Sequence, residues 1–275
     1  MNEIGMQFIP PNLVDLYNDL LDAEPAGDAV KVDVPGDDLL EVWKQGMPML
    51  KLHFPQVDVA DFFAVMGQVR DILQKHQPEA AGDLDRAYAA MPEDAGEREE
   101  FVKSVLRGET SWVSNLVTNS RIPMDAVGIL ITHTFRPFLR VYAEKVREYL
   151  DLDRWLKGIC PVCGGKPTFA KLTKTVGRRY LYCNQCNTEW LYNRMGCPYC
   201  DTGNKGKVRY FSVEGQPLYR VYICDDCKGY LKTVDESKAD EKVELFWEDI
   251  KTVHLDILAV REGFVNQALA AGPKQ

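Results

Sequence analysis

The sequence predicts an α+β protein with a mainly α-helical N-terminal domain, two tandem rubredoxin-like or zinc-ribbon metal modules and a C-terminal helix. Apolar residues recur at helical spacing over residues 1–150 and again near the end of the chain. All eight cysteines lie in four CxxC pairs, and the segments between them are rich in Gly, Tyr and β-branched residues. We therefore expect a helical domain at 1–154, metal modules at 155–195 and 196–236, and at 237–275 a helix that packs on the rest.

The strongest helical pattern covers residues 59–75, where apolar residues repeat every three or four positions and predict a core-facing helix. The pattern resumes over residues 124–150, and Pro137 within it is predicted to kink or divide the helix. Residues 238–271 return to helical spacing. Between these regions the expected strands are Arg179 to Tyr182, Glu189 to Tyr192, Lys207 to Val213, Leu218 to Ile223 and Tyr230 to Val234.

The four CxxC pairs have the spacing of metal knuckles. The intervals between successive pairs are 19, 10 and 23 residues. A CxxC turn places two sulfurs on one side of a tight loop, and a second turn about twenty residues later completes a tetrahedron. We therefore predict one site of Cys160, Cys163, Cys183 and Cys186 and another of Cys197, Cys200, Cys224 and Cys227.

An internal repeat supports this sequential pairing over a crossed one. Each unit opens with Cys-Pro-x-Cys, and a tyrosine-containing strand leads into its second knuckle. Few large aliphatic residues lie in this part of the chain, so metal binding must contribute to its stability. A thioredoxin-like dithiol enzyme would have one CxxC that opens a helix, a poor fit to four pairs in hairpins.

The predicted sites indicate structure or electron transfer rather than catalysis. Four sulfurs fill every coordination position of a tetrahedral ion, and such a site suits zinc and a single iron alike. The sequence has no Gly-rich phosphate loop, nucleophile elbow or paired-histidine zinc helix. We expect no enzyme activity and no small-molecule substrate.

Charge is distributed unevenly along the chain. The net charge is −8, yet residues 1–100 carry 21 acidic and 7 basic side chains, whereas residues 154–232 carry 5 acidic and 14 basic ones. The N-terminus lacks the basic start and apolar run of a secretory signal, and no apolar stretch of membrane-spanning length occurs. We expect a cytoplasmic protein without membrane insertion, in which reduced cysteines bind metal.

A family resemblance follows from the cysteine region. Residues 179–190, which read RYLYCNQCNTEW, and the CPYC motif at 197–200 resemble the formate dehydrogenase accessory (formation) protein FdhE family. The similarity continues through residues 227–232 and the tail at 255–264, and all eight cysteines of the family pattern are present. It is specific over about residues 155–265 and only general over the first 150.

The resemblance implies a cytoplasmic, chaperone-like maturation factor that binds the catalytic subunit of formate dehydrogenase before its completion or export. It implies that the chain is not the dehydrogenase. The family's metal sites are rubredoxin-like and associated with iron, so the resemblance favours iron in both sites, with zinc as the alternative.

Arg178, Arg179, Trp190 and Arg194 cluster near the second knuckle in the sequence and form a candidate partner-binding surface. The alternatives are core packing for Trp190 and docking of the arginines on the acidic helical domain.

Two other functions fit parts of the sequence. A zinc-ribbon nucleic-acid binder would use basic residues interleaved with tyrosines, but the pI of about 5.2 and the acidic first hundred residues weigh against it. A rubredoxin-like electron carrier would need iron that cycles reversibly, and 150 residues of attached helix exceed that need.

Overall fold

The structure is a computed structural model that describes residues 11–114, 122–202 and 205–268. Its contacts divide the chain into two compact units. The helical unit comprises the described residues of Pro10–Pro35 and Leu50–Val146. The sheet unit comprises Gly36–Met49 and the described residues of Arg147–Gln275.

The helices follow the amphipathic segments of the sequence. No helix among the described residues is long and apolar enough to cross a membrane. In chain order they are α1 (Pro11–Asp22), α2 (Asp37–Lys44), α3 (Met49–Leu52), α4 (Val59–His76), α5 (Ala81–Ala89), α6 (Ala95–Arg107), α7 (Met124–Val146), α8 (Leu245–Lys251) and α9 (Val253–Arg261).

Helix α4 is the centre of the helical unit and contacts α1, α5, α6 and α7. It begins where the Asp58 carboxylate accepts a hydrogen bond from the backbone N–H of Asp61 at 2.9 Å, a standard N-cap. Its buried Phe62 ring lies 5.3 Å from the ring of Phe138 on α7, centroid to centroid. The predicted helix at 59–75 is thus confirmed, whereas α7 continues through Pro137 without dividing.

The strands number β1 (Val30–Lys31), β2 (Gln56–Val57), β3 (Phe169–Leu172), β4 (Arg179–Cys183), β5 (Thr188–Tyr192), β6 (Val208–Phe211), β7 (Tyr219–Cys224) and β8 (Tyr230–Asp235). The first two form a small antiparallel pair in the helical unit. All five predicted strands are confirmed, with ends that shift by one or two residues. Strand β3 was not predicted, because its four residues carry neither alternation nor a flanking knuckle.

One six-stranded sheet, in the order β5-β4-β3-β8-β7-β6, carries both predicted metal modules. Neighbouring strands are antiparallel except at the centre, where β3 pairs with β8 in parallel, Phe169 opposite Lys232 and Leu172 opposite Asp235. The two modules are therefore continuous through backbone hydrogen bonds.

The C-terminal segment packs on the sheet as two short helices. Leu255 and Ala259 of α9 join a core with Val221 and Ile223 of β7, and Leu245 of α8 packs near Phe169. Helix α9 ends at Arg261, and Gly263 then adopts a left-handed φ of 84°. The predicted helix over 238–271 is therefore shorter and interrupted.

The compact units differ from the predicted division at residue 154. Residues Gly36–Met49 lie in the sheet unit, where the buried Trp43 ring stacks on Trp155 with centroids 5.0 Å apart. The sequence pattern alone groups this segment with the helices before and after it. Its place in the sheet unit depends on a contact between residues far apart in sequence, which the pattern does not show.

Candidate metal centres

The structure brings the eight cysteines together in two groups of four, and within each group the sulfur atoms lie within 4.8 Å of one another. The first cluster is Cys160, Cys163, Cys183 and Cys186; the second cluster is Cys197, Cys200, Cys224 and Cys227. Both groups follow the sequential pairing, and no disulfide links any two of these cysteines.

All four knuckles use the same local turn. The residue after the second cysteine of each pair is left-handed, with φ of 80° at Gly164, 53° at Asn187, 52° at Asp201 and 56° at Lys228. This conformation reverses the chain directly behind the CxxC pair, so that both sulfurs project to the same side. The turn therefore involves only five consecutive residues, the CxxC pair and the residue after it.

Glycines allow the backbone to approach the sulfurs in the first and last knuckles. The backbone N–H of Gly165 lies 3.4 Å from Sγ of Cys163, and the N–H of Gly229 lies 3.4 Å from Sγ of Cys227. A Cβ at Gly229 would meet the Tyr199 ring at 2.7 Å and Sγ of Cys227 at 3.2 Å. Only glycine fits this position without displacing the ligand sulfur.

The sulfur separations fit a tetrahedral metal ion. Nearest Sγ–Sγ distances are 3.5 and 3.6 Å in the first cluster and 3.6 and 3.8 Å in the second. A tetrahedron with metal–sulfur bonds of about 2.3 Å has edges of about 3.8 Å. Both clusters could therefore hold a metal ion, and the four-sulfur donor set suits zinc or iron.

The thiols of the clusters do not titrate alike. Burial raises the pKa of Cys160 well above its usual range and that of Cys227 to about 11. Burial acts in the same direction on Cys186, but hydrogen bonds with the other thiols of its cluster outweigh it and lower the pKa. The pKa of Cys224 is also lowered, because backbone N–H groups of Cys227 and Asp226 oppose the effect of burial. Metal binding must displace the remaining protons, so acid opposes it.

The two clusters differ in exposure. Cys160, Cys183 and Cys186 of the first cluster are buried and Cys163 is partly buried. In the second cluster Cys197 and Cys224 are buried, Cys227 is partly buried and Cys200 is exposed. The second cluster therefore reaches the surface of the sheet unit, whereas the first is nearly enclosed.

Three tryptophan indoles bind backbone carbonyls in the first knuckle or just before it. Trp190 donates from Nε1 to the carbonyl of residue 157 at 2.8 Å, and Trp155 donates to the carbonyl of residue 159 at 2.7 Å. Trp43 donates to the carbonyl of Pro161 at 3.0 Å, which also accepts the N–H of Met49 at 2.9 Å. Sequence reasoning missed the roles of Trp43 and Trp155, since both depend on tertiary contacts.

Residues of the first module hold the third knuckle. The hydroxyl of Tyr192, at the end of β5, donates to the carbonyl of Cys197 at 3.0 Å and lies 3.0 Å from the carboxylate of Asp201. Arg179, at the start of β4, donates from Nη1 to the carbonyls of Gly196 at 3.0 Å and Arg194 at 3.2 Å. The second cluster thus depends on side chains of both modules.

Of the four residues of the predicted partner surface, two are exposed in the structure and two are buried. Arg178 and Arg194 are exposed, but Arg179 is 1% and Trp190 0% exposed. The expectation that Arg179 and Trp190 contact a partner needs correction, because alternation along β4 and β5 turns both side chains inward. The alternative prediction for Trp190, that it packs in the core, is confirmed.

The exposed pair lines an open groove of about 920 Å³ in the sheet unit. Leu156 and Val176 lie in its wall and are 55% and 66% exposed. The groove also contains the carboxylates of Asp153 and Asp201, which lie 2.9 and 3.0 Å from tyrosine hydroxyls. It therefore offers two cationic side chains beside an exposed apolar surface.

The part of the chain that contains both cysteine clusters is similar to a known protein family. Residues 159–194 match the family described as "FdhE, central domain", and residues 195–271 match "FdhE, C-terminal domain". A "Protein FdhE homolog" of Aquifex aeolicus (strain VF5) is 32% identical over 173 residues, which cover 62% of this chain and 60% of the relative. "Protein FdhE" of Escherichia coli (strain K12) is 36% identical over 113 residues, 40% of this chain and 36% of the relative.

A solved structure has the same fold. It is described as "The crystal structure of the FdhE protein from Pseudomonas aeruginosa" and matches with a TM-score of 0.58 at 21% identity, over 93% of this chain and 84% of that chain.

Two tetracysteine clusters on one shared sheet define a protein with tandem rubredoxin-like metal modules. The two domain matches over residues 159–271 and the curated relatives indicate the FdhE family. Its match spans less than two thirds of the length of both curated relatives.

Proposed function

We propose that this chain is a cytoplasmic accessory protein in the formation of formate dehydrogenase and that it binds the catalytic subunit before that enzyme is completed or exported. The match of residues 159–271 to the two FdhE domain models is the observation that carries the proposal. The clusters support a binding role over a catalytic one, since four sulfurs leave no coordination position for substrate or water.

Both clusters bind a metal ion in the proposed functional state, and the family resemblance favours iron over zinc. The ions stabilise the sheet unit, which presents the client-binding surface. The visible absorption of freshly purified protein tests the metal's identity, because ferric thiolate sites are coloured and zinc sites are colourless. Metal analysis of the same sample gives the number of ions per chain.

The groove with Arg178 and Arg194 is the proposed client surface. Its exposed Leu156 and Val176 add apolar area beside the two arginines, and arginine is enriched at protein–protein interfaces. The cations suit a client segment that carries acidic residues beside apolar ones. Arg179 also lines the groove, but it is 1% exposed and so offers a client little contact area.

The experiment compares three forms of the full chain in a strain of the source organism that lacks it. Wild type should restore formate dehydrogenase activity and capture the catalytic subunit. The double reversal Arg178→Glu/Arg194→Glu should lower capture by about tenfold or more, because charges at an interface guide association. It should keep both metals, since neither arginine is a ligand.

Lys238→Glu/Lys242→Glu is the matched control, because both lysines are exposed in the sheet unit and neither lines the groove. Equal capture by the two double variants would remove the groove from the proposal and direct attention to the helical unit. Normal formate dehydrogenase activity in the strain without this chain would refute the maturation role itself.

A further inference from the structure

Arg179 is a buried cation without an acidic partner. Its side chain is 1% exposed, and among the described residues it forms no ion pair with a carboxylate. Nη1 donates to two backbone carbonyls, and Nε has no acceptor in the described part of the chain. An arginine stays charged in proteins, and a buried charge is costly unless an opposite charge compensates it.

Lys232 shows how the same sheet balances another buried cation. It is 2% exposed, and its Nζ lies 2.8 Å from a carboxylate oxygen of Asp249 and 2.7 Å from one of Asp256. Two carboxylates therefore surround the lysine, whereas no carboxylate among the described residues forms an ion pair with Arg179. The contrast directs attention to another source of negative charge beside Arg179.

The second cluster is the group next to Arg179. A small cavity of about 10 Å³ is lined by Arg179 together with Cys197, Tyr222 and Cys224. The guanidinium carbon lies 4.7 Å from the centroid of the Tyr222 ring, and that ring packs with both cysteines in one buried group. Burial lowers the pKa of Arg179, and nearby tyrosines and Cys197 act in the opposite direction.

We propose that Arg179 is the positive counter-charge of the second metal site and the anchor of its third knuckle. A divalent ion with four thiolates has a net charge of −2, so the ion-bound cluster supplies the negative charge that Arg179 lacks. The hydrogen bonds from Nη1 hold the backbone at residues 194 and 196, directly before the ligand Cys197.

The proposal makes the two sites inequivalent. β4 begins with Arg179 and ends with Cys183, so one strand supplies the counter-charge of the second cluster and a ligand of the first. Arg179 attracts the negatively charged ion-bound cluster, which includes the exposed Cys200, and so slows the loss of its ion to solvent. With iron bound, the nearby positive charge raises the reduction potential by favouring the more negative ferrous state.

This inference depends on the proposed metal occupancy of the second cluster and not on the client. The test uses full-length zinc-loaded protein and the variants Arg179→Met, Arg179→Gln and Arg179→Lys. Zinc transfer to a coloured chelator is followed together with alkylation of each cysteine by mass spectrometry, which assigns the loss to one cluster. Each variant's circular dichroism is compared with that of wild type before the transfer is started.

Arg179→Met and Arg179→Gln should weaken zinc retention at Cys197, Cys200, Cys224 and Cys227 by about 10- to 100-fold, the range found for groups that support metal ligands. The first cluster serves as the internal control and should be unchanged. Arg179→Lys keeps the charge and should retain zinc close to wild type. Arg179→Gln keeps a hydrogen-bond donor without charge, so it separates the counter-charge from packing if Arg179→Met folds poorly.

Equal losses at both clusters, or a Gln variant as good as the Lys variant, would overturn the counter-charge. Wild-type protein that binds no ion at the second cluster would instead refute the proposed metal occupancy. In iron-loaded protein the Gln variant should have a lower reduction potential than the Lys variant at the second site, and unchanged potentials would count against the proposal.

Discussion

At the scale of single residues, the metal sites depend on side chains and glycines that are not ligands. Gly229 lets the backbone approach Sγ of Cys227, and three tryptophans donate to the carbonyls of residues 157, 159 and 161, in the first knuckle or just before it. Each such hydrogen bond contributes about 1 kcal/mol, so several of them together decide whether four thiols stay within bonding range of one ion.

His133 should make the helical unit less stable in acid. Partial burial, with the charges of Arg136 and Arg140, lowers the pKa of His133 to about 3. In the unfolded chain the pKa of His133 is about 6.5, so between pH 6.5 and 3 the unfolded chain binds a proton at this histidine and the folded unit does not. Stability should therefore fall as the pH drops below 6.5, by about 1.4 kcal/mol per pH unit once the unfolded histidine is protonated.

His133→Phe removes the titration and keeps a ring against Tyr17, whose ring centroid lies 6.4 Å away. Urea unfolding, followed by the circular dichroism of the helices, should show that the free energy of unfolding of the variant rises relative to that of wild type as the pH falls from 6.5 to 5. At pH 8 the histidine is neutral in both states, so the pH-dependent part vanishes. A constant difference from pH 8 to 5 would show that the proton is not excluded from the folded unit.

At the scale of secondary-structure elements, each module closes its own cluster, yet the strands are shared. The hairpin of β4 and β5 carries the second knuckle of the first cluster at its turn, and β7 leads into the last knuckle. Parallel pairing of β3 with β8 then joins the two hairpins. An ion in one cluster therefore stabilises a sheet on which the other cluster also depends.

Loss of one ligand should remove one ion. Cys183→Ser should lower the metal content from two ions per chain to about one, because its oxygen is a poor replacement for a thiolate in a four-sulfur site. Metal analysis with cysteine alkylation should show that the second cluster still protects its sulfurs. The reciprocal variant Cys200→Ser should lose only the second ion, and loss of both ions from either change would show that the two clusters are coupled, through shared ligation or through the common sheet.

At the scale of the whole molecule, the chain combines two units with different sources of stability. The helical unit has an aromatic core around Phe62, whereas the sheet unit also has two tetracysteine clusters. A thiolate-bound ion contributes on the order of 10 kcal/mol of folding free energy in small zinc modules. Metal removal should therefore act on one unit far more than on the other.

Chelation under reducing conditions should expose the sheet unit while α4 and α7 stay protected. Hydrogen–deuterium exchange resolved by peptide measures both units in the same full-length sample. Exchange over residues 158–234 should rise strongly, and readdition of zinc should reverse the change. Unaltered protection of these residues after complete metal removal would show that the ions do not stabilise the sheet.

The sequence by itself determined the features that depend on interactions between residues close together in the chain. The CxxC turns, their left-handed following residues and the strands that lead into them are set within a few residues, so both clusters could be predicted from spacing. The amphipathic period of α4 is equally local, and it placed Phe62 and Met66 in a core that the structure shows buried.

Only the tertiary structure decided what depends on distant partners. The pairing of β3 with β8 joins residues some sixty positions apart in sequence, and no local signal marks it. The same holds for Gly36–Met49, which packs with residues more than a hundred positions away. Arg179 looked like a surface cation because arginine usually is one, and its inward direction on β4 is set by the sheet that covers it.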